Sequence, residues 1–362
     1  MTSTQDDSSL HRVAAAASRN APGTPSALSS VLHLVEQDLS RVELLLRRPP
    51  EGHSRCAAAA ADLVAAGGKR LRPALCLLSH RLATADCETG HDAVVQLAAA
   101  VEFLHSASLL HDDVIDEASC RRGAPAARVR WGNTVSVIAG DLLLVRALQK
   151  VHDLGDRRLD ALTDRTLHAI VEGEVAQLEA RGKLETDASR FRYVAERKTA
   201  SLFVLAMVGG ARLGGADEGL LFRVEEFARW LGLAFQLRDD LLDVCGTAEQ
   251  LGKSAGQDLA TGCITLPLAD VLAHSESLRE AVTRHLQSTD GCALPRELAV
   301  ALGEVAGSPR VLDRSRGLLR EWNLNAFRAL SAFPEGPERD TLSWAVDYLA
   351  IPAVASYPTP QA

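Results

Sequence analysis

Three aspartates, Asp112, Asp113 and Asp116, close a long apolar stretch in the first third of the chain. In a helix, residues four apart share a face and the adjacent residue lies beside them, so this spacing predicts three neighbouring carboxylates. No lysine or arginine within the stretch stands at helical spacing to neutralise them. A hard cation such as Mg²⁺, which prefers oxygen ligands, would relieve their repulsion. The alternative for one such motif is an acidic helix end on a solvated surface.

The same spacing recurs at Asp239, Asp240 and Asp243, again after an apolar stretch. Two carboxylate clusters, each closing an apolar helix, favour metal binding over a solvated surface. We therefore predict that the two helix ends face each other across one pocket, where metal ions would bind a multiply charged anion.

A basic segment with the sequence GGKRLRP, Gly67–Pro73, places three cations within four residues. Glycines let backbone N–H groups approach an anion, and arginine binds phosphate in a bidentate manner. The N-terminus of the next helix adds the positive end of its dipole. The sequence predicts an anion site here, and the alternative is a basic turn between helices. Arg121 and Arg122 follow the first aspartate motif, where they either bind an anion or neutralise that helix end.

Single residues near these motifs give weaker signals. Lys198 precedes Thr199 among apolar neighbours, where the alternative is a surface lysine lying along apolar side chains. Lys253 lies in the loop after the second aspartate motif. His105 shares the helix face of Asp112, although a lone histidine in an apolar helix is more often a hydrogen-bonded core residue. Together, the acidic and basic motifs predict a pocket for two diphosphates, one held through metal ions and one by lysine and arginine directly.

The elements that carry these residues are predicted to be helices throughout. Apolar residues recur at three- and four-residue steps from Leu28 to Leu45, and similar patterns separated by Gly, Pro and Asn follow along the chain. We predict helices at about 28–48, 56–66, 73–84, 92–116, 134–153, 158–181, 187–212, 217–244, 264–274, 276–287, 294–305, 309–332 and 337–349. Residues 117–133 are expected to form a loop, and no alternation or hairpin signal indicates a sheet. The prediction is an all-α chain of about a dozen helices.

Composition and charge exclude several classes of protein. The chain has 362 residues, of which 47% are hydrophobic, and a formal net charge of −8, so it fills a large core but offers no basic surface for nucleic acid. Its seven cysteines form no C-x-x-C pair and no zinc-type spacing, which favours reduced thiols in a cytoplasmic protein. No apolar run approaches the length of about 20 residues that a membrane span needs.

One domain is expected, residues 28–350, between a polar N-terminal tail at 1–27 and a short C-terminal tail at 351–362. The N-terminal tail carries early acidic residues and lacks the charged-then-apolar layout of a signal peptide. Any membrane contact is therefore expected to be peripheral.

In these motifs the chain resembles the trans-isoprenyl diphosphate synthases, or polyprenyl synthetases, from about residue 30 to about residue 350. The resemblance rests on several short motifs that occur in one order. They are Gly67–Pro73, Asp112–Asp116 with Arg121-Arg122-Gly123, Gly140-Asp141, Lys198-Thr199, Phe235-Gln236 with Asp239–Asp243, and Gly252-Lys253 through Thr265-Leu266-Pro267. The family implies an all-α barrel of mostly antiparallel helices around a deep central cavity, the isoprenoid synthase fold, and usually a homodimer.

The family's reaction explains the residue types. An allylic diphosphate ionises to an allylic cation, the double bond of isopentenyl diphosphate attacks that cation, and loss of a proton restores an alkene. The resemblance implies Mg²⁺, three ions bound with the allylic diphosphate. Their ligands would be Asp112, Asp116 and Asp239, with Asp113, Asp240 and Asp243 in or near the metal shell. Because the product is a lipid, peripheral membrane contact would fit.

Positions that match the family's cationic and polar residues divide between the two substrates. Charge on the departing diphosphate would be stabilised by the metal ions with Arg121, Lys198 and Lys253. Isopentenyl diphosphate would be held by Lys69, Arg72, His105 and Arg122. Thr199 and Gln236 match positions that line the reacting groups. No protein base is assigned, because in this family the released diphosphate is usually taken as the base.

One position departs from the family pattern. Many members carry a lysine two residues before the Thr-Leu-Pro triplet, where this chain has Cys263. One diphosphate contact is thereby put in question, although longer-chain members often lack this lysine too. Arg238, directly before the second aspartate motif, adds a cation whose direction the sequence does not fix.

Product length depends on residues before the first aspartate motif. Ala107 and Ser108 are small, at positions where family members with short products often have a large aromatic. Leu104, one turn further, is flexible, so the floor under the growing tail is expected deeper, near Val101 or on a neighbouring helix. The resemblance thus favours an all-trans product longer than geranylgeranyl diphosphate.

Three other functions share parts of the pattern. A class I terpene cyclase would usually carry an Asn/Ser/Glu metal motif in place of the second aspartate motif, and it would not need Lys69 and Arg72. A non-catalytic partner subunit of a heteromeric prenyl synthase tends to lose one or both aspartate motifs, and both are whole here. A farnesyl or geranylgeranyl diphosphate synthase would differ in product length alone.

Overall fold

The computed structural model describes residues 25–48, 54–84, 90–121, 124–245, 263–288 and 294–350. In these ranges the chain is almost entirely α-helical, as predicted. The helices are α1 (Pro25–Arg47), α2 (Arg55–Ala65), α3 (Leu71–Ala83), α4 (His91–Ile115), α5 (Ala127–Trp131), α6 (Asn133–His152), α7 (Arg157–Ala180), α8 (Ala188–Val194), α9 (Ser201–Leu213), α10 (Glu218–Cys245), α11 (Leu266–His274), α12 (Glu276–Ser288), α13 (Arg296–Ala306), α14 (Pro309–Leu330) and α15 (Pro337–Ala350).

Two departures from the predicted elements lie next to the predicted site residues. The expected loop 117–133 contains the antiparallel pair β1 (Cys120–Arg121) and β2 (Ala124–Pro125), together with α5. Two-residue strands are too short to show the alternation that predicts a sheet. The helix expected at 187–212 is divided by a π-helical turn, Ala195–Ala200, between α8 and α9. A single π turn is rare and leaves the chain helical on both sides, so the sequence pattern predicts one continuous helix across it.

Contacts divide the chain into two compact units. The first unit comprises 1–163, 204–225 and 332–345, and α4 is its central helix. This helix packs against α1, α3 and α6, and its alanines let those neighbours approach closely. Packing on several sides fixes the C-terminal end of α4, where the first aspartate motif lies.

Within the described ranges, α4 is also the helix that is long and apolar enough to cross a membrane by length and composition. The expectation that no apolar run approaches this length was wrong. However, 72% of the most apolar window of α4 is buried inside the protein. A helix covered by other helices needs no polar face, which explains its composition.

The second unit comprises 164–203, 226–331 and 346–362. One of its apolar clusters joins the C-terminal half of α10 to α14 and to the π-helical turn. The buried members are Ala200, Leu233, Ala234, Leu237, Leu241, Leu312, Leu319 and Trp322. The leucines of α10 recur every four residues, so one helix face is buried along its length. This packing fixes the helix that carries the second aspartate motif.

Candidate active site

The first aspartate motif lies at the C-terminal end of α4, where Asp116 is the residue that caps the helix. Asp112 and Asp116 are partly exposed, whereas Asp113 is fully buried. The motif therefore presents two carboxylates at the surface of the unit and turns the third inwards. All three sit at the negative end of the helix dipole, which disfavours anions there. A nearby cation is needed to stabilise this helix end.

Arg121 supplies one such cation. Its Nε and Nη2 donate to Oδ1 of Asp113 at 2.8 and 2.5 Å. The short β1 strand places Arg121 over the helix end, which is the neutralising role that the sequence offered as one alternative. A contact between Arg121 and an allylic diphosphate stays a prediction.

His111 precedes the motif and lies against Gly140 of α6. Its Nε2 is 3.2 Å from the backbone oxygen of Val137 and 3.3 Å from Oδ1 of Asp141. Both neighbours are acceptors, so this nitrogen must carry a proton and donate. A Cβ on Gly140 would lie 2.3 Å from Nε2, so a side chain there would displace the ring. The Gly140-Asp141 pair thus holds α6 against the last turns of α4.

The basic segment Gly67–Pro73 brings one predicted isopentenyl diphosphate ligand, Arg72, next to another, His105 of α4. Nη1 of Arg72 lies 3.4 Å from Nε2 of His105, and Lys69 is exposed. The third cation, Arg70, is only 5% exposed and is ion-paired inside the protein. Lys69 and Arg72 are therefore at least partly exposed, whereas Arg70 is enclosed by the protein.

The second aspartate motif lies in the last turns of α10. Asp239 is exposed, Asp240 is partly buried and Asp243 is buried. Oγ1 of Thr199 donates to Oε1 of Gln236 at 2.6 Å, and Nε2 of Gln236 donates to Oδ1 of Asp240 at 2.8 Å. Three residues that the sequence named separately thus form one hydrogen-bonded chain. This chain fixes the carboxylate of Asp240 to the π-helical turn.

Lys198 in the π-helical turn is 20% exposed and does not extend freely into solvent. Its Nζ forms an ion pair with Glu174 and donates to Oε1 of Gln177 at 3.1 Å. Nε2 of Gln177 lies 3.4 Å from Sγ of Cys263. The cysteine that replaces the family's usual lysine therefore belongs to the same polar cluster as Lys198.

Comparison with a protein-family model, with related sequences and with solved structures identifies the family of this chain. The model described as "Polyprenyl synthetase" matches residues 53–295. The chain belongs to the polyprenyl synthetase family. Membership makes it a trans-prenyltransferase and implies isopentenyl diphosphate and an allylic diphosphate as substrates.

The relatives of this polyprenyl synthetase family member include long-chain synthases. Heptaprenyl diphosphate synthase component 2 from Geobacillus stearothermophilus is 33% identical over 314 residues, 84% of this chain and 95% of the relative. All-trans-nonaprenyl-diphosphate synthase (geranyl-diphosphate specific) from Rhodobacter capsulatus is 37% identical over 282 residues, 77% of this chain and 84% of the relative.

Solved structures of the polyprenyl synthetase family share the fold. A polyprenyl synthase from Caulobacter crescentus, complexed with calcium and isoprenyl diphosphate, has a TM-score of 0.82 and 32% sequence identity. The match covers 91% of this chain and 99% of the other. The predicted all-α isoprenoid synthase fold is therefore confirmed.

The donor set of this polyprenyl synthetase suits Mg²⁺ when substrate completes the site. Among the residues that the structure describes, no group of three or more His, Cys, Asp or Glu side chains could hold a metal ion unaided. Mg²⁺ usually takes one or two carboxylates and completes its shell with water and substrate phosphates. The first motif offers two accessible carboxylates, Asp112 and Asp116, and the second motif offers Asp239.

Sequence reasoning missed three residues of α7 that contact Lys198. Glu174 and Gln177 bind its ammonium group, and a Cβ on Gly173 would lie 2.8 Å from its backbone nitrogen. Gly173 thus lets α7 approach the π-helical turn closely. The available signal was a glycine in a helical stretch, followed by two polar residues that are three apart and therefore share a helix face.

Other predicted site residues remain predictions. Arg122 and Lys253 lie outside the described residues. Ala107 and Leu104 are 4% and 3% exposed, and Oγ of Ser108 donates to the backbone oxygen of His105 at 2.9 Å. Two of the three chain-length positions, Ala107 and Leu104, are thus buried, and Ser108 is partly buried.

Proposed function

We propose that this chain is a Mg²⁺-dependent synthase that condenses isopentenyl diphosphate with an allylic diphosphate to an all-trans polyprenyl diphosphate longer than geranylgeranyl diphosphate. The observation that carries the proposal is the pair of aspartate motifs, each with accessible carboxylates at its helix end. The long-chain relatives and the small side chain of Ala107 support the product length.

Isopentenyl diphosphate binds to the cationic cluster of the first unit. Arg72 offers two N–H groups in a plane, which match phosphate oxygens, and Lys69 adds a point charge from the preceding turn. His105 lies beside Arg72 and limits the positions that its guanidinium adopts. The diphosphate end of the substrate is thereby fixed, which orients the double bond for attack.

The allylic diphosphate binds at the aspartate motifs. Asp112 and Asp116 of the first motif and Asp239 of the second would hold Mg²⁺, which would supply positive charge to the departing diphosphate. Lys198 adds fixed positive charge, and Glu174 and Gln177 keep its ammonium group in place. Hydrogen bonds link Thr199 to Gln236 and Gln236 to Asp240. These bonds keep the Thr199 hydroxyl directed at Gln236 during the reaction. The cation formed by condensation loses a proton to the released diphosphate, which restores the alkene.

We also propose that the enzyme is a homodimer that uses the outer face of α6. Val137, Ile138 and Val145 on this helix are 37%, 49% and 51% exposed. Large apolar side chains clustered on one exposed helix face are typical of a surface that another protein covers. Family members are usually homodimers, which supports a second copy as that protein.

The function is tested by incubating the purified chain with Mg²⁺, isopentenyl diphosphate and labelled farnesyl diphosphate. We expect elongated products beyond C20, identified by mass spectrometry after removal of the diphosphate. Hydrocarbons would indicate a terpene cyclase instead. A relative is named component 2 of its synthase, so an inactive purified chain would favour a subunit that needs a partner.

The two diphosphates are expected to use different cations. Lys69→Ala and Arg72→Ala should raise the KM for isopentenyl diphosphate by about ten- to hundredfold, the effect of one lost charge-assisted contact. Arg121→Ala should mainly raise the KM for the allylic substrate, because it releases Asp113 next to the metal ligands. Steady-state kinetics with each substrate varied in turn measures both values.

Arg158→Ala is the control for those variants. Arg158 is 68% exposed and forms a surface ion pair with Glu218. Its removal should change neither KM, because exposed ion pairs contribute little. Equal effects of Lys69→Ala, Arg72→Ala and Arg121→Ala on both substrates would contradict the assignment.

A further inference from the structure

We infer that Arg70 is a positioning residue for isopentenyl diphosphate binding, because its buried guanidinium fixes the segment that carries Lys69 and Arg72. The inference rests on the proposed function, since it takes Lys69 and Arg72 as ligands of that substrate. Arg70 itself does not touch substrate, because its side chain is turned into the protein and is 5% exposed.

The guanidinium of Arg70 ties three parts of the first unit together. Nε donates to Oε1 of Glu43 in α1 at 2.5 Å, and Nη1 donates to Oε1 of Glu102 in α4 at 2.6 Å. Nη2 donates to the backbone oxygen of Val64, near the end of α2, at 3.0 Å. All three nitrogens of the planar group donate a hydrogen bond, so its position and orientation are determined.

The charge on Arg70 is secure in this environment. Burial alone would lower the pKa of Arg70, but the charges of Glu102 and Glu43 and their hydrogen bonds outweigh it, and the pKa lies above its ordinary value. Glu102 is 3% exposed and would be left as a buried carboxylate if Arg70 were removed. Breaking a buried pair by removing one partner is strongly unfavourable, so the pair acts as a fixed attachment.

The backbone at Arg70 needs that attachment. Its φ of 47° and ψ of 32° place it in the left-handed region, directly before the first residue of α3, and its side chain does not cap the helix. Residues other than glycine rarely adopt this conformation, and they do so when the surrounding structure holds them there. The directions in which Lys69 and Arg72 leave the chain follow from this turn.

The Arg70–Glu102 ion pair and the Arg72–His105 contact lie next to each other on α4. Glu102 and His105 are three residues apart on α4 and therefore share a face. Arg70 binds Glu102, and two residues later Arg72 meets His105 at 3.4 Å. The basic segment thus lies along α4 through two successive contacts. Loss of the first contact would move Arg72 relative to His105 without altering either side chain.

Kinetics of Arg70 variants separate positioning from general stabilisation. Arg70→Gln, which removes the charge, should raise the KM for isopentenyl diphosphate at least about tenfold, the effect of a displaced charge-assisted contact. The KM for the allylic substrate and kcat should each stay within about threefold of wild type, since neither depends on this segment. Arg70→Lys keeps the charge but not the planar group, and we expect an intermediate KM.

Arg81→Gln is the matched control at the other end of α3. Arg81 donates from Nε to Oε1 of Glu338 at 3.1 Å, and it is 27% exposed. This variant should lower the midpoint of thermal unfolding and leave both KM values unchanged. If loss of any ion pair of the unit raised the KM for isopentenyl diphosphate, Arg81→Gln would do so as well, and the inference would be wrong.

Other outcomes also decide the inference. A folded Arg70→Gln enzyme with both KM values unchanged, or raised equally, would overturn it. If Arg70→Gln does not fold, Glu43→Gln replaces it, because Glu43 is 26% exposed and its loss removes one attachment only. Arg72→Ala is measured in the same series. If Arg72→Ala leaves the KM for isopentenyl diphosphate unchanged, the proposed binding site itself is wrong; if it raises that KM and Arg70→Gln does not, only the positioning role is wrong.

Discussion

Asp112→Asn and Asp239→Asn are each expected to lower turnover at least about 100-fold, the scale of losing one preorganised electrostatic contact in a transition state. Asn keeps the size of the side chain and removes its charge, so the effect reports metal and diphosphate binding and not packing. Chelation of divalent metal with EDTA should abolish turnover, and added Mg²⁺ should restore it. Initial rates with saturating substrates measure both effects.

Asp112 and Asp239 are carboxylates that the structure leaves accessible at their helix ends. Asp113 is buried and paired with Arg121, and Asp243 is buried, whereas Asp112 and Asp239 are accessible. Accessible carboxylates can take up a metal ion from solvent without rearrangement, so the variants at Asp112 and Asp239 test the proposed metal binding directly. Asp113→Asn is expected to act through the helix end, by releasing Arg121.

Asp92→Asn is the control for the metal variants. Asp92 lies in the first turn of α4, is 88% exposed and pairs with Arg41. Its replacement removes the same charge from the same helix at the opposite end and should leave turnover unchanged. Full activity in EDTA, or in either metal variant, would show that the carboxylates do not hold a catalytic metal.

Helix positions could be predicted from the sequence because apolar periodicity reflects local geometry. The helix predicted from Asp92 is α4, His91–Ile115, and its end placed the first aspartate motif correctly. Which carboxylate of that motif turns inwards could not be predicted. It depends on Arg121 returning over the helix end from β1, and a two-residue strand leaves no pattern in the sequence.

Contacts between segments that are distant in the sequence also could not be predicted. Lys198 was identified as a candidate cation, but its partners Glu174 and Gln177 lie on another helix. Their contact requires the close approach that Gly173 allows, and a single glycine in a helix has several explanations. The role of Arg70 was hidden for the same reason. Three cations in one segment look equivalent in the sequence, and only packing shows that one of them is buried.

Product length is expected to respond to a single substitution at Ala107. In the proposed function, the tail of the allylic substrate runs from the aspartate motif along α4. Ala107 lies five residues before Asp112, roughly 7.5 Å along the helix axis at the rise of an α-helix. Its small side chain lets a long tail pass, and the aromatic side chain in Ala107→Tyr should block it. We expect a shorter product with the condensation step still active, as measured by chromatography of dephosphorylated products.

The burial of Ala107, which is 4% exposed, allows a second interpretation that the same variant tests. If Ala107 packs against a bulky residue of another helix, a tyrosine would overpack the core and cost about 1–3 kcal/mol of folding free energy. The midpoint of thermal unfolding would then fall while the product stayed long. If Ala107 lines the tail cavity, the ring occupies that space, so the product shortens with little change in stability.

Neighbouring residues of α4 sharpen the test. Phe103, one turn before Ala107, is fully buried with its ring 4.7 Å from the guanidinium carbon of Arg146 in α6, so this aromatic is engaged by that helix. Leu104 and Val101 remain as the deeper positions where the floor is expected. Leu109→Tyr adds the same ring near the same depth on another face of α4 and should leave the product unchanged. A wild-type product that stops at farnesyl or geranylgeranyl diphosphate, or a long product from Ala107→Tyr, would mean that another element sets the length.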